Sequence, residues 1–149
     1  MGANSQVRAL EIQPDNKILV GGLFTTYHGS ISNFIVRLLP DGRIDDTFDI
    51  GTGFNGEVRD ITQVSENRII VVGNFDRYRI EPDPSIIRLD EFGTHDTTFD
   101  TQNGFNGVIE TINENEDGIF VGGEFTEYKG KLITGVIQIT DQGSESTRL

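Results

Sequence analysis

One short string recurs three times along the chain: Ile18-Leu19-Val20-Gly21-Gly22-Leu23-Phe24, then residues 69–75 ending in Phe75, then Ile119-Phe120-Val121-Gly122-Gly123-Glu124-Phe125. A fixed step of about fifty residues marks a repeat architecture, in which units too small to bury an apolar face alone stack on their neighbours. The three apolar positions that open the string are consecutive, which places it as an interior strand buried on both faces. Gly22, Gly73 and Gly123 are glycine in every copy. Invariance within the chain predicts a bulge, a positive φ or the close approach of a neighbouring strand.

Around this strand each repeat is read as three or four strands. A loosely alternating strand comes first (Val7 to Gln13, Val58 to Val64, Val108 to Asn113), and a polar turn follows it. Beyond the string lies Phe-x-x-Tyr, then a third strand (Ile35 to Leu38, Ile86 to Leu89, Val136 to Ile139) and a glycine turn. A short fourth strand is expected at Asp45 to Asp49 and Asp96 to Asp100, before the loops Gly53-Phe54-Asn55-Gly56 and Gly104-Phe105-Asn106-Gly107. No segment sustains a helical period, so the chain is all-β. It reads as one domain, 1–149, with repeat 1 at about 2–52, repeat 2 at about 53–103 and repeat 3 at about 104–149. Gly2-Ala3-Asn4 keeps the loop motif, and Leu149 stands where Phe48 and Phe99 stand, so the chain is expected to hold a near-whole number of repeats.

Charge and composition narrow the function. With 12 basic against 24 acidic residues the net charge is -12, which repels phosphate backbones and anionic lipid. Nucleic acid and membrane insertion are therefore not expected. There is no cysteine, hence no disulfide framework or thiolate metal site. Neither a spanning apolar run nor a signal-like N-terminus is present. His28 and His95 occupy unrelated repeat positions, and no nucleophile elbow or phosphate loop occurs. The reading is non-enzymatic, with no cofactor; a hydrolase or lyase on one face would lack its catalytic set. Calcium at Asp45, Asp46, Asp49, Asp96 and Asp100 is the one metal to consider, although these match no loop of defined spacing and suit turn amides better.

Two residue sets stand out. Tyr27, Tyr78 and Tyr128 are all the tyrosines, each followed by a basic residue: His28, Arg79, Lys129. Repeat symmetry puts the six on one end as a candidate ligand or partner face; the alternative is that each tyrosine packs its own loop. Phe24, Phe75 and Phe125, with Phe48, Phe99 and the three string glycines, are the expected structural core.

The residues Ile12 to Phe24 with Arg37-Leu38-Leu39-Pro40-Asp41-Gly42-Arg43-Ile44-Asp45-Asp46-Thr47-Phe48 resemble the delta-60 repeat, less closely after Gln138. The resemblance implies β-propeller blades and a setting in bacterial surface or phage structural proteins, a virion or extracellular surface. Three blades cannot close a ring, and open ends expose strand edges. The expected architecture is half of a six-bladed propeller completed by a homodimer or higher homo-oligomer; the alternative is a β-trefoil-like closed monomer. The expected role is a structural or protein-interaction module of a larger assembly, with a carbohydrate-binding module as the alternative.

Overall fold

The computed structural model describes residues 1–146. Its strands are β1 (Val7–Ile12), β2 (Ile18–Gly22), β3 (Thr26–Tyr27), β4 (Ser30–Ile31), β5 (Ile35–Leu38), β6 (Glu57–Val64), β7 (Arg68–Asn74), β8 (Arg77–Tyr78), β9 (Glu81–Pro82), β10 (Ile86–Leu89), β11 (Ile109–Asn115), β12 (Gly118–Gly123), β13 (Glu127–Tyr128), β14 (Lys131–Leu132) and β15 (Val136–Ile139). They form three antiparallel sheets, β1-β2-β5, β6-β7-β10 and β11-β12-β15, each with a two-stranded hairpin beside it. The repeated string is the central strand of each sheet, flanked on both sides as its apolar run requires. These are propeller-like blades. No sheet closes on itself, so the closed trefoil barrel is not what the described residues build.

The expected fourth strand shrinks to a single bridge in repeats 1 and 2, Leu38 with Ile44 and Leu89 with His95, and the described part of repeat 3 has the equivalent bridge, Ile139 with Glu145. The reason is local. The carboxylates of Asp45 and Asp96 accept bonds from the amide and hydroxyl of Thr47 and Thr98, which turns the backbone out of the ladder. Leu149 lies outside the described residues.

The string glycines face a bulge. In the first strand of each repeat the register shifts between Val7 and Ala9, Val58 and Asp60, and Ile109 and Thr111, opposite the glycine. The bulged backbone presses on it: a Cβ at Gly22, Gly73 or Gly123 would sit 2.2, 2.1 or 2.3 Å from a carbonyl oxygen of that strand. Gly73→Ala is expected to cost about 3 kcal/mol, the upper end for overpacking. Gly2→Ala, with nothing within 4 Å of the new methyl, is the neutral control in the same urea titration.

The blades stack face to face in chain order, with β6 between β1 and β11. The forward face of repeat 1 (Leu19, Ile35) meets the rear face of repeat 2 (Ile69, Val71, Ile87, Leu89) in one apolar cluster with Phe48, Phe54 and Phe75. The forward face of repeat 2 (Ile70, Val72, Ile86) meets the rear face of repeat 3 (Ile119, Val121, Ile137, Ile139) in another, with Phe99, Phe105 and Phe125. A third cluster, Val20, Phe24, Val36 and Leu38, lies on the rear face of repeat 1. The loop before each blade docks on that blade's hairpin. Asn55 and Asn106 accept bonds from successive hairpin amides at 2.8–3.1 Å, and Asn4 does the same for Thr25 and Thr26.

Candidate interaction surfaces

The six-residue set divides by depth. Tyr78 and Tyr128 are buried, and their hydroxyls donate to the carbonyls of Gly93 and Gly143. Burial pushes the Tyr78 phenol up to about 12, although Arg79 works in the opposite direction. Their rings pack on Phe54 and Phe105, at centroid distances of 4.7 and 4.4 Å. Neither offers a free ring face on which a sugar could stack. Tyr27 is only half-buried, because Ala3 holds the place of Phe54 and Phe105 in its bridge to the hairpin.

The basic partners sit where the hairpin turns. His28, Arg79 and Lys129 all have φ between 48 and 56°, the left-handed geometry of a two-residue hairpin loop. Arg79 donates to the carbonyls of Asp49, in the preceding repeat, and Gly93, at 2.6 and 3.4 Å. Lys129 lies 5.4 Å over the Tyr128 ring and remains exposed, as does His28 beside Tyr27. The structure thus brings tyrosine and base together in each repeat, with the tyrosines facing inward in repeats 2 and 3.

A second repeated device lies on the forward faces. Arg37 is buried at the end of β5, and its guanidinium donates to Asp45 (2.9 Å), to Thr47 (3.2 Å) and across the blade boundary to the carbonyl of Glu91 (2.7 Å). It also lies over Phe48. Arg88 repeats every contact: Asp96 (2.9 Å), Thr98 (2.9 Å), the carbonyl of Asp141 in repeat 3 (2.5 Å), and the ring of Phe99. Each arginine is a latch that fastens its blade to the next. In repeat 3 the same positions are Gln138 and Ser146, and the Gln138 amide turns back to the carbonyl of Asp117 in its own blade.

The latch makes stability acid-sensitive. Burial alone would raise the Asp96 carboxyl, but the Thr98 hydroxyl and amide and the Arg88 and Arg68 guanidiniums outweigh it and hold it at about 2. Asp45 is held lower still, through Thr47, Lys17 and Arg37. Burial also lowers the Arg88 guanidinium, which stays charged at any working pH, so the carboxylate is the group that titrates. A depressed folded-state value means the contribution is complete above the unfolded value of 3.8 and is lost as pH falls through about 2. Unfolding free energy should therefore hold near pH 5 and drop by about 2 kcal/mol per latch between about pH 4 and pH 2. Asp96→Asn should flatten that drop in acid-series urea titrations, and an unaltered acid limb would count against the assignment.

The ends of the array differ from its middle. On the rear faces of repeats 2 and 3, Val58 and Ile109 are 0% exposed and Ile61 and Ile112 are 2% and 4% exposed, each covered by the preceding blade. Their equivalents in repeat 1, Val7 and Leu10, are 45% and 66% exposed, and Ile12 beside them is 68%. On the forward face of repeat 3, Val136 is 56% exposed where Ile35 and Ile86 are buried. A row of charge also crosses the innermost strands: Arg8 pairs with Glu57 (2.8 Å), Glu57 with Arg59 (3.2 Å), and Arg59 with Glu110.

Metal-ligating groups are scattered. His95 stands 3.7 Å from Asp83, far along the chain from His28, and no group of three or more His, Cys, Asp or Glu gathers round one point among the described residues. Asp45 and Asp96 are engaged as above, and Asp49 and Asp100 accept turn amides from Gly51 and Gln102.

Comparison with known proteins returns one family model, described as a domain of unknown function (DUF5122) with a beta-propeller, which matches residues 13–48 and 65–99. Both matched stretches contain a latch arginine with its Asp-x-Thr partner, 37–47 and 88–98. No curated protein and no solved structure matches.

Proposed function

We propose that this chain of β-propeller-type repeats is a non-enzymatic interaction module that completes its blade array by associating with a second copy. The observation that carries the reading is the exposure of Val7 and Leu10 on the inner strand of repeat 1, whose counterparts in repeats 2 and 3 are buried under a preceding blade. Covering what remains exposed of Val7, Leu10, Ile12 and Val136, each about half to two-thirds exposed, is worth about 3–7 kcal/mol gross at each seam. A ring has two such seams but incurs the association cost once. Repulsion between acidic protomers is screened within about 8 Å at physiological ionic strength, so apolar burial dominates.

In this reading the completed array is a structural part of a larger assembly. The finer resemblance to delta-60 repeats points to a phage particle or a bacterial surface as that assembly. Leu10→Glu with Ile12→Glu is the direct test. Both side chains face solvent in one chain, so its own stability should change by no more than about 0.5 kcal/mol. The particle mass in size-exclusion with light scattering should fall to that of a single chain. An unchanged two-chain mass would exclude this face as the contact.

A further inference from the structure

We infer that the second copy docks head to tail, the forward face of repeat 3 on the rear face of repeat 1, through a seam that lacks the arginine latch and is therefore reversible. The inference rests on the self-association proposed above and specifies which surfaces meet.

The geometry comes from the two blade boundaries inside the chain. At each, a forward face covers the positions equivalent to Val7 and Leu10, so the occupant suited to that face is another forward face. Those of repeats 1 and 2 are already covered. The forward face of repeat 3 is open, with Val136 exposed and Phe120 and Gly122 only half-buried.

Charge agrees with this orientation. At the bulge position the three inner strands carry Arg8, Arg59 and Glu110. Arg59 pairs with Glu110 across the boundary between repeats 2 and 3. A head-to-tail seam sets Glu110 beside Arg8 of the second copy, the same pair in reverse order. A seam joining two repeat 1 faces would instead set Arg8 against Arg8.

The latch marks what separates this seam from the others. Within the chain, Arg37 and Arg88 each cross to a carbonyl of the next blade, at Glu91 and Asp141. At the seam the corresponding acceptor is the carbonyl of Pro40, but the facing residues are Gln138, committed to Asp117, and Ser146. The copies are held by apolar contact and one ion pair, without the charge-assisted bond present at every internal boundary.

Restoring the latch supplies the test. Gln138→Arg with Ser146→Asp is expected to lower the dissociation constant of the pair at least tenfold in a dilution series followed by sedimentation velocity. If wild type pairs and the variant pairs no more tightly, the head-to-tail seam is wrong while self-association stands. If both remain single chains at every concentration, self-association itself fails. Growth of the variant into open polymers would overturn the closed two-copy ring. A second measurement avoids any folding penalty at buried Gln138 by using the absence of native cysteine. Leu10→Cys mixed with Val136→Cys should give an oxidised two-chain product, and Leu10→Cys alone should not. The reverse pattern would establish the repeat 1 to repeat 1 contact and overturn the proposal.

Discussion

Arg88→Ala is expected to lower the free energy of unfolding by about 3 kcal/mol, measured by urea titration at neutral pH. The cost comes from what is left behind. Asp96 would remain largely buried with its nearer guanidinium gone, and the loss of one member of a buried pair costs about 3–5 kcal/mol. Arg68, 3.1 Å from the same carboxylate, still compensates in part, which sets the expectation at the lower end. The carbonyl of Asp141 also loses its donor, so the boundary between repeats 2 and 3 loosens. Arg88→Lys should recover some stability through charge but not the fork that reaches Asp96, Thr98 and Asp141 together. A loss below about 1 kcal/mol would show that the latch is ornamental.

Phe75→Ala should be at least as damaging, at about 3–5 kcal/mol. Phe75 is 3% exposed and its ring lies 4.4 Å from that of Phe54, which in turn packs on Tyr78. Removing it opens a cavity at the junction of the incoming loop, the hairpin and the boundary with repeat 1. Because stability in a repeat array is shared between units and their interfaces, damage to the middle blade weakens the whole array. Its thermal midpoint should fall clearly below that of wild type; an unmoved midpoint would remove Phe75 from the core.

Much of this architecture is legible in the residues. The run Ile69 to Val72 reads directly as a central strand, and the bulge opposite Gly22, Gly73 and Gly123 is one of the options that an invariant glycine opens. Phe48 and Phe99 read as core because they recur in phase, and both are buried. Features set by side chains meeting across blades are harder to see. Asp45 and Asp96 look like strand or calcium residues until Thr47, Thr98 and the two arginines are seen to occupy their lone pairs. A signal for the latch does exist: arginine lies eight residues before Asp-x-Thr in repeats 1 and 2, and repeat 3 has glutamine and serine at those places. Tyr78 and Tyr128 leave two readings open in the sequence, a partner face or the packing of their own loops, and their burial with carbonyl acceptors at Gly93 and Gly143 favours the second. The ladder of Arg8, Glu57, Arg59 and Glu110 depends on bulge register between strands some fifty residues apart, which no local pattern reveals.

The proposed association rests on the ends of the array, where Val7, Leu10, Ile12 and Val136 are exposed while the equivalent apolar positions at the internal boundaries are covered. The decisive measurement is the mass of the unmodified protein by sedimentation equilibrium across a wide concentration range. The account predicts a particle of two chains, each of 16.5 kDa, that separates reversibly on dilution. A single 16.5 kDa species at every concentration would contradict it.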